Sequence, residues 1–372
     1  MKSIRQIGSL KNKTVLVRSD LNVPIDQGKV RDSFRIDKAL ATISFLIKKG
    51  AKVVVVSHIG EGKKDTLLPV FFHLKKKKVS CVFLDSYKKE SVDKALGELK
   101  KGEFLLLENL RHDIGEKDND EMFAKTLASF ADIFVNDAFS VSHREHASIV
   151  GVPKLLHSYA GLQMMEEIKN LSLALKPAHP FVFILGGAKI STKLPLITRY
   201  LKSADEVFVG GAILNNVLRD KKLPIGESLV DDTETPRAIL NSPKILPVLD
   251  VVTENHKGVS RTIMPFEVND DERIVDIGPE TIASFKPIFS KAKLIVWNGP
   301  LGNYEKGYDK GTVLLLKLLA SLKTKTILGG GDTVALVSKL KLEKKFTFVS
   351  TGGGATSDFL AHGTLPGIKA LK

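Results

Sequence analysis

Short runs of valine, isoleucine, leucine and phenylalanine alternate with amphipathic stretches along most of this chain. Apolar runs that end at polar or glycine residues are typical of strands buried in a parallel sheet. Residues 35–50 instead carry apolar side chains at helical spacing and end at Gly50, which predicts a helix. The predicted strands are 14–20, 52–58, 81–84, 104–110 and 132–139 in the first half, and 181–185, 206–210, 293–299, 324–330 and 346–351 in the second.

The regular alternation of strands and helices predicts an α/β fold with two doubly wound parallel-sheet domains. The length of 372 residues also favours two domains, because single hydrophobic cores usually stop growing at about 250–300 residues. We expect the junction in residues 161–180, a helical stretch that ends with two prolines. The predicted domains are therefore 1–160 and 181–363.

Three predicted strands run into glycine clusters that lead towards helices. Glycine allows positive φ and lets a ligand approach the backbone closely. The free N–H groups at the start of a following helix favour phosphate. One cluster also carries Lys189 and Lys193. Together the clusters predict a nucleotide-phosphate site in the second half, formed by LGGAKISTK at 185–193, LGGGDT at 328–333 and STGGGA at 350–355.

Polar side chains follow the strands of the first half. Ligands of open α/β sheets bind beyond the carboxyl ends of the strands. Several arginines at one such edge suggest a small anionic substrate, because guanidinium groups bind phosphate or carboxylate bidentately. The polar residues at these ends are Arg18, Asp20, Asn22, His58, Asn109, Arg111, Asn136, Asp137, His143, Arg144 and His146.

The net charge of +14 also raises the possibility of nucleic-acid binding. Much of the excess charge lies in lysine runs such as 75–78 and 339–346, which are typical of solvated surfaces. Aromatic residues make up only 7% of the chain and are not interleaved with basic ones, as base stacking requires. A basic α/β protein that binds nucleic acid remains one alternative, although we expect no nucleic-acid partner.

Other sequence features narrow the class of protein. No apolar run reaches the ~18 residues of a membrane span, and the N-terminus lacks the pattern of a signal peptide. The single cysteine, Cys81, allows no internal disulfide and fits a reducing compartment. We therefore expect a cytoplasmic protein with no membrane partner. The P-loop, protein-kinase and dinucleotide-binding motifs are absent.

Seven motifs, in order along the chain, resemble the phosphoglycerate kinase family. They are VLVRSDLNVP (15–24), LLENLR (106–111), VNDAFSVSHREHAS (135–148), LGGAKISTK (185–193), WNGPLGNYE (297–305), GGGDT (329–333) and STGGGA (350–355). The resemblance implies reversible phosphoryl transfer from 1,3-bisphosphoglycerate to ADP, with Mg²⁺, in glycolysis and gluconeogenesis. It also implies a monomer with two Rossmann-like domains joined by a hinge helix in 161–180, and a tail (364–372) packed on domain 1–160.

The same resemblance assigns site residues. It implies that Arg35 and Lys189 stabilise the transferring phosphoryl group, that Asp332 holds nucleotide-bound Mg²⁺ and that Glu305 binds the ribose. The implied triose-phosphate residues are Arg18, Asp20, Asn22, Arg35, His58, Arg111 and Arg144. The implied residues on the ATP or ADP side are Lys189, Lys193, Asn298, Glu305, Gly330, Gly331, Asp332, Thr333, Gly352 and Gly353.

This chemistry needs no general base, because the acceptor carboxylate of 3-phosphoglycerate is already ionised at neutral pH. In-line positioning and stabilisation of charge are the main requirements. We therefore interpret His58 and His143 as binding or packing residues. Closure of the two domains around the hinge would exclude water from the reaction. A different acyl-phosphate kinase, such as an acetate or carbamate kinase, is the second alternative.

The chain departs from the family pattern in SHIGEGKK (57–64), where Glu61 and Gly62 stand in place of arginine and proline. One hypothesis is that the glycines let Glu61 swing away and bring Lys63 or Lys64 to the substrate phosphate. The other is that Glu61 faces solvent and the remaining arginines suffice. A second departure, residues 140–142, replaces Gly-Thr-Ala with Ser-Val-Ser.

Overall fold

The computed structural model describes residues 1–62 and 64–371, which form two compact units. The first unit contains residues 1–169 and the C-terminal segment from Thr364, and the second contains residues 170–363. In the described part of the chain, no helix is both long and apolar enough to cross a membrane.

The first unit is built on a six-stranded sheet with the order β5-β6-β4-β1-β7-β8, in which all neighbouring strands are parallel. The two central strands have almost wholly buried side chains, as continuous valine and leucine runs predict. A two-stranded hairpin, β2-β3, lies outside this sheet. The strands are β1 Thr14–Arg18, β2 Ile25–Asp26, β3 Lys29–Val30, β4 Lys52–Val56, β5 Cys81–Leu84, β6 Phe104–Leu107, β7 Ile133–Asn136 and β8 His157–Ala160.

The helices of the first unit connect these strands. The longest is α1, which confirms the helix predicted at 35–50 and buries Ile36, Ile43 and Leu46. The helix α6 contains the boundary between the two units, which falls after Lys169. The helices are α1 Phe34–Lys48, α2 Leu68–Lys76, α3 Lys89–Glu98, α4 Ile114–Lys117, α5 Glu121–Ala128 and α6 Leu162–Leu171.

The second unit has a five-stranded parallel sheet with the order β10-β9-β14-β15-β16 and a three-stranded antiparallel sheet with the order β12-β11-β13. Its strands are β9 Phe181–Leu185, β10 Glu206–Val209, β11 Val251–Asn255, β12 Ser260–Ile263, β13 Glu272–Ile277, β14 Leu294–Asn298, β15 Lys325–Gly329 and β16 Phe348–Val349. Its helices are α7 Leu194–Ser203, α8 Ala212–Asp220, α9 Arg237–Leu240, α10 Pro279–Ser284, α11 Lys286–Lys291, α12 Lys310–Ser321, α13 Gly331–Lys339 and α14 Gly354–His362.

The C-terminal segment forms α15, Pro366–Ala370, within the first unit. Its Gly367 N–H donates a hydrogen bond of 2.8 Å to the carbonyl of Ser142. A side chain at Gly367 would meet Ser142 and Ile149, so the segment packs closely at this point.

The α/β fold with parallel sheets is confirmed, and every predicted strand is present. The sequence prediction lacked β8, the β2-β3 hairpin and the antiparallel sheet. The strand β8 reads HSYA and lies at the sheet edge, so it has little of the apolar character that marks the inner strands. The strand β12 reads SRTI, lies at the edge of the antiparallel sheet and is largely exposed, so it also lacks an apolar run.

Candidate active site

The carboxyl edge of the first sheet is organised around the buried guanidinium of Arg18. Its Nε donates to Ser148 Oγ at 2.8 Å and its Nη1 donates to the Ser19 carbonyl at 2.8 Å. Its Nη2 lies 3.7 Å from the buried carboxylate of Glu116, which also accepts hydrogen bonds from Ser148. Burial lowers the pKa of Arg18, and the Glu116 and Asp20 carboxylates oppose that effect. Because Arg18 has no exposed surface, its position favours orienting its neighbours over direct contact with a ligand.

One such neighbour is His58, which is almost fully buried. Its Nδ1 lies 3.1 Å from Arg18 Nη2. Burial holds the pKa of His58 well below its usual value, and the cations Arg18, Arg111 and Arg35 lower the pKa further. Since arginine can only donate, Nδ1 must accept, and the proton of the neutral ring is on Nε2. This histidine therefore presents a neutral hydrogen-bond donor.

A second set of side chains follows β1. Arg35 Nη1 lies 3.3 Å from a carboxylate oxygen of Asp20 and donates at 3.0 Å to the Asn22 carbonyl. The side-chain oxygen of Asn22 accepts a hydrogen bond of 3.1 Å from the Gly60 N–H. These contacts bring three of the predicted substrate residues to the loop that follows β4.

The remaining two arginines differ in exposure. The Arg111 side chain is 8% exposed and forms an ion pair with Glu61. Arg144 is exposed, in the segment after the 3-10 turn at residues 139–141. Glu61 also pairs with Lys117, whose Nζ lies 2.5 Å from its carboxylate. Glu61 is thus exposed, as the second hypothesis from the sequence has it, but it also pairs with two cations, which neither hypothesis included. Lys63 lies outside the described residues, and Lys64 is exposed.

The sequence analysis missed several residues of this cluster. Glu116, Ser148 and Lys117 were not singled out, although the first two hold Arg18 in place. No pattern of neighbouring residues indicates that a carboxylate such as that of Glu116 will be buried against a distant arginine. Lys117 had a weak signal only, as a cation that matches the unexpected charge of Glu61.

In the second unit, glycine turns follow adjacent strands of the parallel sheet. The helix α13 begins directly after Gly330, which has φ of +92°, and α14 begins directly after Gly353. A methyl group on Gly330 would lie 2.7 Å from the backbone nitrogen of Gly299, so the turn after β15 touches the turn after β14. These two helices begin as predicted, with their N–H groups at the carboxyl edge of the sheet.

The prediction for LGGAKISTK was partly wrong. The helix α7 begins only at Leu194, and residues 186–193 form a loop. Pro195 explains this start, because proline is favoured in the first turn of a helix and not inside one. A further turn, at Gly210 and Gly211 after β10, was missed although it has the same strand-to-glycine-to-helix pattern.

The loop 186–193 carries the two predicted lysines. Lys189 is exposed, and its carbonyl accepts a hydrogen bond of 3.0 Å from Thr192 Oγ1. Ser191 donates to the carboxylate of Asp231 through both its N–H, at 3.0 Å, and its Oγ, at 2.7 Å. These two bonds hold the centre of the loop between Lys189 and Lys193.

Lys193 belongs to a half-buried polar chain. Its Nζ donates to Ser357 Oγ at 2.9 Å, and that hydroxyl donates to Asn298 Oδ1 at 3.2 Å. Burial lowers the pKa of Lys193, and Asp358 opposes the effect. The buried Asn298 Nδ2 has no hydrogen-bond partner among the described residues, so a donor remains for a ligand. The Gly352 N–H donates a hydrogen bond of 3.1 Å to Ser350 Oγ.

A cavity of about 560 Å³ opens beside the turns. It contains the predicted Glu305 and Asp332 together with the glycines of two turns. Its size and apolar walls suit a planar heterocycle with a polar end. The sequence analysis missed these walls, whose apolar members include Ala212, Leu214, Leu229, Ile274 and Val275.

The residues present fit a Mg²⁺ ion bound with a nucleotide. Asp332 and Glu305 line the same cavity, and burial raises the pKa of Asp332, with the charge of Glu305 adding to the effect. A divalent cation would relieve this repulsion, and Mg²⁺ prefers one or two carboxylates together with phosphate oxygens. The described residues contain no group of three or more histidine, cysteine, aspartate or glutamate side chains that could hold a metal ion by themselves.

Comparisons with known proteins agree with this geometry. The family model described as Phosphoglycerate kinase matches residues 4–362. A phosphoglycerate kinase of Fervidobacterium nodosum is 42% identical, over 99% of this chain and 98% of the relative. A second, of Pseudothermotoga lettingae, is 40% identical over 97% and 96%.

Two solved structures have the same fold over nearly their whole length. The phosphoglycerate kinase of Coxiella burnetii superimposes with a TM-score of 0.82 and 34% identity, covering 99% of this chain and 97% of the other. That of Pyrococcus horikoshii gives a TM-score of 0.86 and 30% identity, covering 100% and 98%. The family resemblance found in the sequence motifs is therefore confirmed, and the chain belongs to the phosphoglycerate kinase family.

Proposed function

We propose which side chains of this protein bind each substrate and which stabilise the transferring phosphoryl group. The enzyme transfers a phosphoryl group reversibly between 1,3-bisphosphoglycerate with ADP and 3-phosphoglycerate with ATP, with Mg²⁺, in glycolysis. The first unit binds the triose phosphate at its arginine-rich sheet edge. The second binds the nucleotide at its glycine turns and in the cavity beside them. The observation that carries this division is the cluster of Arg18, His58, Arg35 and Arg111, which hydrogen bonds join to one another and to the loop after β4 at a single edge.

On the first unit, we assign direct substrate contact to Asp20, Asn22, Arg35, Arg111 and Arg144. His58 donates from Nε2, because its Nδ1 faces Arg18. Arg18 is a positioning residue, since it is fully buried and bonded to Ser148, Ser19 and His58. No residue needs to accept a proton, because the nucleophile is a carboxylate. The low pKa of His58 fits this role, as a neutral ring binds without exchanging protons.

On the second unit, Lys189 meets the transferring phosphoryl group and Lys193 binds the nucleotide phosphates with Asn298. The N–H groups after Gly330 and Gly353 face the same phosphates. Gly331, Thr333 and Gly352 also belong to the proposed nucleotide-binding residues. Glu305 accepts from the ribose, and Asp332 holds Mg²⁺, which would neutralise phosphate charge when bound. Arg35 of the first unit and Lys189 of the second stabilise the charge of the moving PO₃ group.

A coupled assay tests this function. Purified protein should form ADP from MgATP only when 3-phosphoglycerate is present, and acetate or carbamate should not replace it. Turnover with either of these would favour another acyl-phosphate kinase. Salt-sensitive DNA binding without turnover would favour a nucleic-acid-binding protein. Family membership argues against both alternatives.

Because the two substrate sites lie on different units, transfer requires the units to close, with the hinge in 161–180. Small-angle scattering should give a smaller radius of gyration with both substrates than with either alone. Equal radii in all states would contradict closure. The sequence also favours a cytoplasmic monomer, and size-exclusion chromatography with light scattering checks the monomer.

A further inference from the structure

The loop after β4 places an acidic side chain on the arginine cluster. Glu61 pairs with Arg111 and with Lys117, and its side chain is 71% exposed. Arg111 beneath it is 8% exposed, so Glu61 covers the solvent side of this guanidinium. Lys117 lies at the rim, with 41% of its side chain exposed.

The backbone of the loop fixes Glu61 in this place. The Asp65 carboxylate accepts hydrogen bonds from the N–H groups of Glu61, at 2.9 Å, and Gly62, at 2.7 Å. Gly60 is held from both sides, since its N–H donates to Asn22 and its carbonyl accepts from Arg111 at 2.6 Å. Glu61 is thus presented to the cations by an ordered turn.

The short helix α4 supplies Lys117 from the other side. Asp113 caps this helix by accepting from the Gly115 N–H. Glu116 points inward to Arg18 and is fully buried, whereas its neighbour Lys117 points outward to Glu61. The helix therefore contributes one fixed anion to the interior and one cation to the surface of the same cluster.

Each of three arginines in the cluster is paired with one carboxylate. Arg18 faces Glu116, whose side chain is 0% exposed, and Arg35 faces Asp20, at 9%. Those two carboxylates are almost fully buried. The third, Glu61, is mostly in water, and an exposed ion pair costs little to break. Glu61 is therefore the carboxylate of the three that an incoming anion is able to replace.

We propose that Glu61 is an exchangeable counter-ion, which the phosphate of the substrate displaces from Arg111 and Lys117. Lys117 thereby becomes a phosphate-binding residue that compensates for the arginine absent at position 61. This inference rests on the proposed function, because it takes the cluster as the triose-phosphate site.

The exchange has a consequence for specificity. A phosphate monoester carries a charge of about −1.5 to −2 at pH 7 and three acceptor oxygens. Glu61 carries one charge and two oxygens, so a phosphate gains by replacing it. A simple carboxylate has no such advantage over Glu61. Displacing Glu61 costs every anion the same free energy, which a phosphate recovers through its extra charge and oxygens and a simple carboxylate does not.

The test is a calorimetric titration of 3-phosphoglycerate into wild type, Glu61→Gln, Lys117→Met and the double variant. Glu61→Gln should lower Kd by about twofold to fivefold, the upper part of the range for an exposed charge pair. Lys117→Met should raise Kd by a similar factor. It should also do so in the Glu61→Gln background, where a lysine that only restrained Glu61 would have no effect. The KM for MgATP should stay constant.

The matched control is Glu121→Gln, which removes the same charge from an exposed pair with Lys125 on α5. It should leave Kd unchanged. An unchanged or raised Kd for Glu61→Gln, or no effect of Lys117→Met in the double variant, would overturn the exchange. Wild-type protein that does not bind 3-phosphoglycerate at all would instead overturn the proposed function, and the exchange with it.

Discussion

The two units present positive charge to a ligand in different ways. In the first unit the charge is on long side chains, and buried carboxylates such as Glu116 hold them in place. In the second unit much of it is on backbone N–H groups, and glycines such as Gly330 let the turns approach each other. A side-chain site is adjustable one charge at a time, as Glu61 illustrates. A backbone site depends on geometry that a single methyl group disturbs.

The largest effect is expected at Lys189, because the backbone N–H groups of the second unit cannot replace its charge. Lys189→Ala should lower kcat by a factor of about 10²–10³, because loss of one such donor costs ~2.7–4 kcal/mol of barrier. Nucleotide affinity should change less. Lys193→Ala should lower kcat and should also raise the nucleotide KM. Steady-state kinetics of both variants test this.

The matched control is Lys202→Ala, on the exposed surface of α7 in the same unit. It should behave as wild type. A nearly normal kcat for Lys189→Ala would remove this lysine from the mechanism and leave the phosphoryl group to backbone donors.

The second effect concerns the stability of the first unit, because this unit buries the carboxyl group of Asp137. Burial raises the pKa of Asp137 to about 7, against hydrogen bonds from Thr42, Met164 and Gln163 that lower it. The folded state therefore holds a proton that the unfolded state releases near pH 3.9. The free energy of unfolding should fall as pH rises from about 4 to 7, by about 2 kcal/mol between pH 5 and 7.

Asp137→Asn should remove this dependence, since the amide does not titrate. Urea unfolding at pH 5 and pH 7, followed in wild type and the variant, measures the difference. An equal pH dependence in the two proteins would show that Asp137 is ionised throughout.

The third effect tests the geometric character of the nucleotide site. Gly330 has φ of +92°, and an added methyl group would lie 2.7 Å from the Gly299 nitrogen. Left-handed backbone costs other residues about 1–2 kcal/mol, so the turn of Gly330→Ala should relax away from its binding conformation and raise the nucleotide KM by about tenfold. The control is Gly97→Ala in α3, where an added methyl meets no described atom within 4 Å.

The sequence was sufficient to predict the parallel sheets and the place of the glycine turns, because both follow from local patterns. It also grouped the arginines, because strand ends share one edge of a sheet. It did not separate the fully buried Arg18 from the partly buried Arg111, since burial of Arg18 depends on Glu116 and Ser148, which are distant in sequence. Nor did it reveal the apolar wall of the cavity, whose members come from several elements of the second unit.

The most direct test of the whole account is a pair of calorimetric titrations, with 3-phosphoglycerate and with MgADP, on Arg111→Ala and Gly330→Ala. We expect Arg111→Ala to weaken 3-phosphoglycerate binding by about tenfold or more, since hydrogen bonds to charged groups contribute about 1.5–3 kcal/mol, and to leave MgADP binding unchanged. Gly330→Ala should do the reverse. Loss of MgADP binding in Arg111→Ala, or of 3-phosphoglycerate binding in Gly330→Ala, would contradict the assignment of one substrate to each unit.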